Sequence, residues 1–185
     1  MDEIGFLRGD IGSAKVITAF DGPKYHIQPG DRDWITVIEC VNAAFCCLPA
    51  MVICKGKAFQ NIYVPKDWTI ALSNTGWTND NLGYIWLTKV FDSATKDHVR
   101  GVKPLLVMDG HSSHCSAKFE TYARNNGIIP LRLPSHSSHI LQPLDVACFS
   151  VVKQLYHKGV EELARSGQHH VTIDDFLQIY AIARP

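Results

Sequence analysis

The chain has 185 residues, 46% of them hydrophobic and 19% charged, the make-up of a folded domain and not of a disordered one. Lys plus Arg equals Asp plus Glu at 18 each, so no bulk charge draws the chain to nucleic acid, which counts against a stand-alone, high-affinity DNA binder. No apolar run approaches the roughly 20 residues of a membrane span, and the length suits one domain with a real core.

The chain opens on Met1-Asp2-Glu3-Ile4-Gly5-Phe6, which reads as the end of a strand whose beginning is absent. Lys15 to Phe20 is a weaker strand candidate, and Gly22, Pro23, Pro29, Gly30 and Asp31 mark a loop over 21–33. Trp34 to Val41 is rich in β-branched residues and predicts a strand, with Leu48 to Cys54 as its neighbour, ended by Lys55-Gly56-Lys57. Cysteines fall at 40, 46, 47, 54, 115 and 148 without a C-x-x-C pair, so buried reduced thiols are expected in place of a zinc ribbon or a disulfide framework.

Thr78 is a good N-cap for a helix running to about Asp92, with Leu82, Ile85, Trp86 and Val90 on one stripe. Leu105 to Met108 is a continuous apolar run, as expected of a strand buried on both faces. A helical stripe of Cys115, Phe119, Tyr122 and Ala123 follows, closed by Asn126-Gly127. Ile128 to Leu133 predicts a further short strand, and 134–143 a loop. Pro143 suits a helix first turn that would contain Asp145, with Phe149, Val152, Tyr156, Val160 and Leu163 along one face. Thr172 and Asp175 form a variant capping box for a last helix carrying Phe176, Ile179, Tyr180 and Ala183 on one side. The order predicts an α/β sheet flanked by helices, with Asp109 in the crevice just past a strand end.

Three separated acidic sites, Asp2-Glu3, Asp109 and Asp145, stand at strand ends or a helix start. Hard divalent cations prefer oxygen ligands, and a metal pair can clamp both sides of a phosphodiester during in-line displacement. Each acid also has a bland reading: Asp109 as a turn residue, Asp145 as a helix first-turn charge, Asp2 as a solvated terminal charge. His111, His114, His136 and His139 make two H-x-x-H pairs; with no cysteine partners nearby, zinc is the weaker reading beside loop packing or orientation of the aspartates. Lys55, Lys57, Lys66 and Arg100 are candidate phosphate contacts or solvated surface charges, and Trp68, Trp77 and Trp86 read as core more than as base-stacking groups.

The phrases Asp2-Glu3-Ile4-Gly5-Phe6, Gly76-Trp77-Thr78 with Leu82-Gly83 and Trp86-Leu87, Asp109-Gly110-His111-Ser112-Ser113-His114, and Leu133 to Asp145 with its Leu141-Gln142-Pro143-Leu144-Asp145 ending follow one another along the chain. Together they resemble the DDE superfamily endonuclease domain of pogo-like transposases, the group that includes centromere-protein-B-like and jerky-like proteins. The spacing of 36 positions from Asp109 to Asp145 is similar to that family's second-to-third-acid interval. The resemblance implies a ribonuclease H-like mixed α/β sheet flanked by helices. It implies a catalytic and metal-binding triad on Asp2, Asp109 and Asp145 with two Mg²⁺ (or Mn²⁺) ions. Beside that triad, the residues themselves offer Glu3, His111, His114 and His139 as candidate supporting groups and Lys55, Lys57 and Arg100 as candidate nucleic-acid contacts. The resemblance also implies DNA as partner, no membrane, a homodimer and a nuclear location. Full-length relatives carry N-terminal helix-turn-helix domains; none is read in 1–185, which is therefore expected to be a single endonuclease domain truncated at its N-terminal side. The rival reading is a module for nucleic-acid or protein binding that keeps the fold and has lost the chemistry. A weaker third is a structural scaffold with no nucleic-acid partner.

Overall fold

The computed structural model describes residues 1–12, 33–44, 46–58, 62–96, 103–114, 116–135, 137–168 and 170–184. The candidate strand at 15–20, the loop over 21–32, Arg100, Cys115 and His136 lie outside the described residues.

Four strands form one sheet: β1 (Asp2–Leu7), β2 (Trp34–Glu39), β3 (Met51–Lys55) and β4 (Thr69–Ser73), in the order β1-β2-β3-β4. β1/β2 and β2/β3 are antiparallel and β3/β4 is parallel, so the sheet is mixed. β5 (Leu105–Met108) pairs in parallel with β6 (Ile129–Arg132). The Met1 ammonium donates to Val107 O at 2.6 Å, which sets β5 beside the start of β1.

Period-two side-chain alternation divides the core into two layers. Ile4 and Phe6 of β1, Val37 of β2 and Val52 of β3 pack against Tyr156 of α5 (Phe149–Arg165) and Phe176 and Tyr180 of α6 (Ile173–Ala183). Ile38, Met51 and Ile53 face the other way, onto Trp86, Leu106 and Phe119. The molecule is therefore α/β with helices on both faces, and β2 and β3 are the strands buried on both sides. β5 departs from the expectation of two buried faces: it alternates, with Leu106 and Met108 buried and Leu105 exposed. Among the described residues β6 is its one paired neighbour.

On the second face, α1 (Asp80–Trp86) continues through a π-helical turn (Leu87–Phe91) into α2 (Asp92–Thr95). Its N-cap is Asn79, whose side chain accepts from the backbone N–H groups of Asn81 and Leu82; Thr78, one residue earlier, is not the cap. A 3₁₀ turn (Ser112–His114) leads to α3 (Ala117–Asn125). The stretch expected to be loop over 134–143 contains a short helix, α4 (Ser138–Leu141). After Pro143 the chain makes a π-helical turn (Leu144–Cys148) before α5. The Thr172–Asp175 capping box is present. Of the cysteines, Cys40 and Cys54 are buried free thiols as expected, whereas Cys46 and Cys47 are exposed in the turn after β2.

Candidate active site

β1 supplies two adjacent carboxylates to opposite faces. Asp2 shares its face with Ile4 and Phe6, toward the start of α5; Glu3 points toward α1 and the 3₁₀ turn. Asp2 is 7% exposed. Its Oδ1 accepts the backbone N–H of Glu3 at 2.8 Å, while Oδ2 is buried with no hydrogen-bond partner. Burial pushes the Asp2 carboxyl up from 3.8 to about 7; the Glu3 N–H opposes this, and the charges of Asp145 and Asp109 push further upward. Asp2 thus feels the negative charge of both other acids.

Asp109 lies just past the C-terminal end of β5, with its side chain 29% exposed. Its Oδ1 accepts the His111 backbone N–H at 3.1 Å, so the bland reading of a turn aspartate is true of one oxygen. Asp145 is exposed in the first turn after Pro143, next to buried Leu144. Gln142, 1% exposed, anchors this turn: its Nε2 donates to Met1 O at 3.0 Å. One side chain therefore ties the third acid's turn to the first acid's strand.

Glu3 has a different environment. His114, 1% exposed, lies with Nε2 3.2 Å from Glu3 Oε1 and 3.9 Å from Asp109 Oδ1. Ser113 Oγ donates to Glu3 Oε1 at 3.1 Å and lies 2.9 Å from His111 Nδ1. Burial alone would raise the Glu3 carboxyl, but its contact with His114 and the charge of His111 outweigh that and hold it below the ordinary range. The 3₁₀ turn can approach because α1 carries Gly83 there; a Cβ at that position would collide with the Ser113 carbonyl. Glu3, His111 and His114 present ligand atoms within 4.8 Å of one another, so this group is also able to hold a cation, although the Ser113 hydroxyl already links its members.

Of the candidate site residues, the structure groups Glu3, His111 and His114 with Asp109 beside them, and Asp2 feels the charges of Asp109 and Asp145. His139 is exposed on α4 and outside that histidine group. Lys55 pairs with Asp33 at 3.1 Å, and Lys57 is exposed. Sequence reasoning passed over Gln142 and Ser113. Both stood inside the quoted phrases, and their placement there was the available signal.

A family model described as DDE superfamily endonuclease matches residues 31–185. The chain belongs to this family. The match begins after β1, so Asp2 lies outside it. The chain is 38% identical over 98% of its length to a Cochliobolus lunatus protein named MFS-type transporter clz9, covering 20% of that protein. It is 29% identical over 71% of its length to the human Pogo transposable element with ZNF domain, covering 9% of it. The DDE domain is thus of the pogo-like transposase kind, and it spans a fifth or less of either relative's length. No solved structure matches the chain. Among the described residues no helix is long and apolar enough to cross a membrane.

Proposed function

We propose that this domain is a metal-dependent DNA endonuclease with a ribonuclease H-like architecture, in which Asp2, Asp109 and Asp145 hold two Mg²⁺ or Mn²⁺ ions. The observation that carries the reading is the state of Asp2: a buried carboxylate with one unpartnered oxygen, raised by burial and by two neighbouring acids. Such an arrangement is costly for the metal-free protein and is relieved by a cation, and an all-oxygen donor set suits a hard divalent ion. Family membership supports the same chemistry.

When bound, a metal pair of this kind supplies Lewis acidity to both oxygens of an in-line phosphodiester displacement. The chain's own residues do the rest. Asp2 and Asp109 fix the site on two neighbouring strands, and Asp145 enters from a helical turn held to β1 by Gln142. Glu3, Ser113 and His114 hold the Asp109 loop against β1. DNA is the substrate this reading requires, and a nuclear location follows from it.

The test combines Mn²⁺ calorimetry with nicking of supercoiled plasmid. The wild type is expected to bind the ion and to nick in an EDTA-sensitive way, while Asp109→Asn and Asp145→Asn stay folded and lose more than about 100-fold of both. Cleavage that survives EDTA, or full activity in either variant, overturns the assignment. Metal binding without cleavage would instead favour a module that has kept the site and lost the reaction.

A further inference from the structure

A chain with as many acids as bases can attract a polyanion only through a local surplus of cations. The flank of β6 carries such a surplus. An open groove of about 570 Å³ lies between α3 and β6, lined by Lys103, Arg124 and Arg132 with a single acid, Glu120. Glu120 pairs with Arg132. Lys103 and Arg124 are exposed, and among the described residues neither has an acidic partner. Lys55, by contrast, is matched by Asp33.

The local fold sets these cations in a row. α3 ends at Asn125, and Gly127, at φ +70°, turns the chain toward β6 while donating its N–H to Arg124 O at 3.3 Å. Pro104 O accepts the Ile129 N–H at 2.9 Å, which holds the entry to β5 against that turn. A Cβ on Gly127 would stand 3.8 Å from Lys103 Cγ, so the lysine stem runs alongside the turn. At the other end, the parallel register sets Arg132 beside Met108, the residue before Asp109. Lys103 and Met108 are five positions apart in sequence. At about 3.3 Å per residue the row spans about 17 Å, the axial length of about five base pairs. The groove is on the α3 side of β6, so it flanks the acids and takes no part in holding a metal.

We propose that this groove seats the sugar-phosphate backbone of duplex DNA to one side of the bond being cut, with Lys103 and Arg124 on phosphates and Glu120 restraining Arg132. The inference rests on the DNA-endonuclease reading. Backbone contacts position DNA without reading its sequence, so this binding is salt-dependent and indifferent to sequence. Each phosphate contact adds about 0.9 to the log–log salt slope, which between about 0.15 M and about 1 M salt is roughly fivefold in affinity.

Fluorescence anisotropy of the whole chain, with Ca²⁺ in place of Mg²⁺ and KCl varied, measures binding to two unrelated duplexes. Lys103→Ala with Arg124→Ala should bind both duplexes roughly 30-fold more weakly, with a salt slope smaller by about 2. Lys103→Arg with Arg124→Lys should keep the affinity and the slope of wild type. Glu120→Gln frees Arg132 and should bind roughly fivefold tighter with a steeper slope. Lys158→Ala, an exposed control on α5, should match wild type. Mn²⁺ affinity should be the same in all. Unaltered duplex affinity in the double alanine variant overturns the groove and leaves the endonuclease reading standing. If that variant has instead lost binding to poly-glutamate, the groove docks an acidic protein and the DNA assignment falls. A loss confined to one duplex overturns the backbone assignment, and a wild type that binds neither duplex overturns both readings.

Discussion

Asn at position 2 should make the metal-free protein more stable at alkaline pH while weakening its metal site. The Asp2 carboxyl rises from 3.8 to about 7, and each pH unit corresponds to about 1.36 kcal/mol. Between roughly pH 4 and 7 the folded chain therefore holds a proton that the unfolded chain has released. Stability falls as pH rises through that window, because the folded state binds more protons than the unfolded one. The full loss above pH 7 has a ceiling of about 4 kcal/mol, and partial access of water brings it to roughly 2–4 kcal/mol. Asp2→Asn keeps an oxygen for the Glu3 N–H and removes the charge that Asp109 and Asp145 repel. In EDTA at pH 8 the variant should exceed wild type by that amount, or about 5–15 °C in Tm for a domain of this size. At pH 4 the two should melt together. Saturating Mn²⁺ at about 100 times its Kd should raise wild type by roughly 2.7 kcal/mol and the variant by much less. Urea and thermal melts across pH 4–8 measure all of this. A variant no more stable than wild type at pH 8 would refute the claim that Asp2 is a strained anion waiting for a cation.

Gly83→Ala drives a methyl into the Ser113 carbonyl, so it should cost about 1–3 kcal/mol in urea melts and weaken Mn²⁺ binding by displacing the turn that holds Asp109. Gln142→Leu leaves the buried Met1 carbonyl without its donor; a loss of about 1–3 kcal/mol and a lower Mn²⁺ affinity are expected by melts and calorimetry. Glu39, the cross-strand neighbour of Asp2, sits 5% exposed and accepts from Tyr180 Oη at 2.8 Å and Arg184 Nε at 2.8 Å. Glu39→Ala should therefore cost about 3–5 kcal/mol in urea melts by stranding the guanidinium.

Local chemistry made much of this architecture legible. The β-branched run Trp34 to Val41 became β2, the stripe from Phe149 to Val160 became the buried face of α5, and the Thr172–Asp175 box formed as written. The misses have physical causes. Thr78 and Asn79 are both good caps, and only backbone geometry chooses: Asn79 is extended at φ −145°, with its carboxamide oxygen over the first turn. Trp77 looked like core because indole is large and apolar, but it is 52% exposed and stacked on Trp34. That environment depends on Trp34 lying flat over Gly5, a contact 29 positions away in sequence that no periodicity encodes. Gln142 sits in a stretch without periodic pattern, and its partner is 141 positions away.

The Asp2-Glu3 pair shows where reading a motif stops and structure begins. Two neighbouring carboxylates of one strand necessarily point to opposite faces. Glu3 falls on the face where Ser113 and His114 wait, is hydrogen-bonded, and is held ionised. Asp2 falls on the face shared with Asp109's and Asp145's fields, keeps one oxygen unpartnered, and is pushed toward neutrality. A single-residue shift of β1 against β2 would exchange these fates, because every side chain would change face. The register that pairs Asp2 with Glu39 and Leu7 with Trp34 therefore decides which acid is spare for a cation and which one braces the loop. Asp109 belongs to both environments, within 3.9 Å of His114 and close enough to raise Asp2. It is the point through which a change in the Glu3 network reaches the proposed metal site, and this is why Gly83, which touches neither metal nor substrate in this reading, should still alter metal affinity.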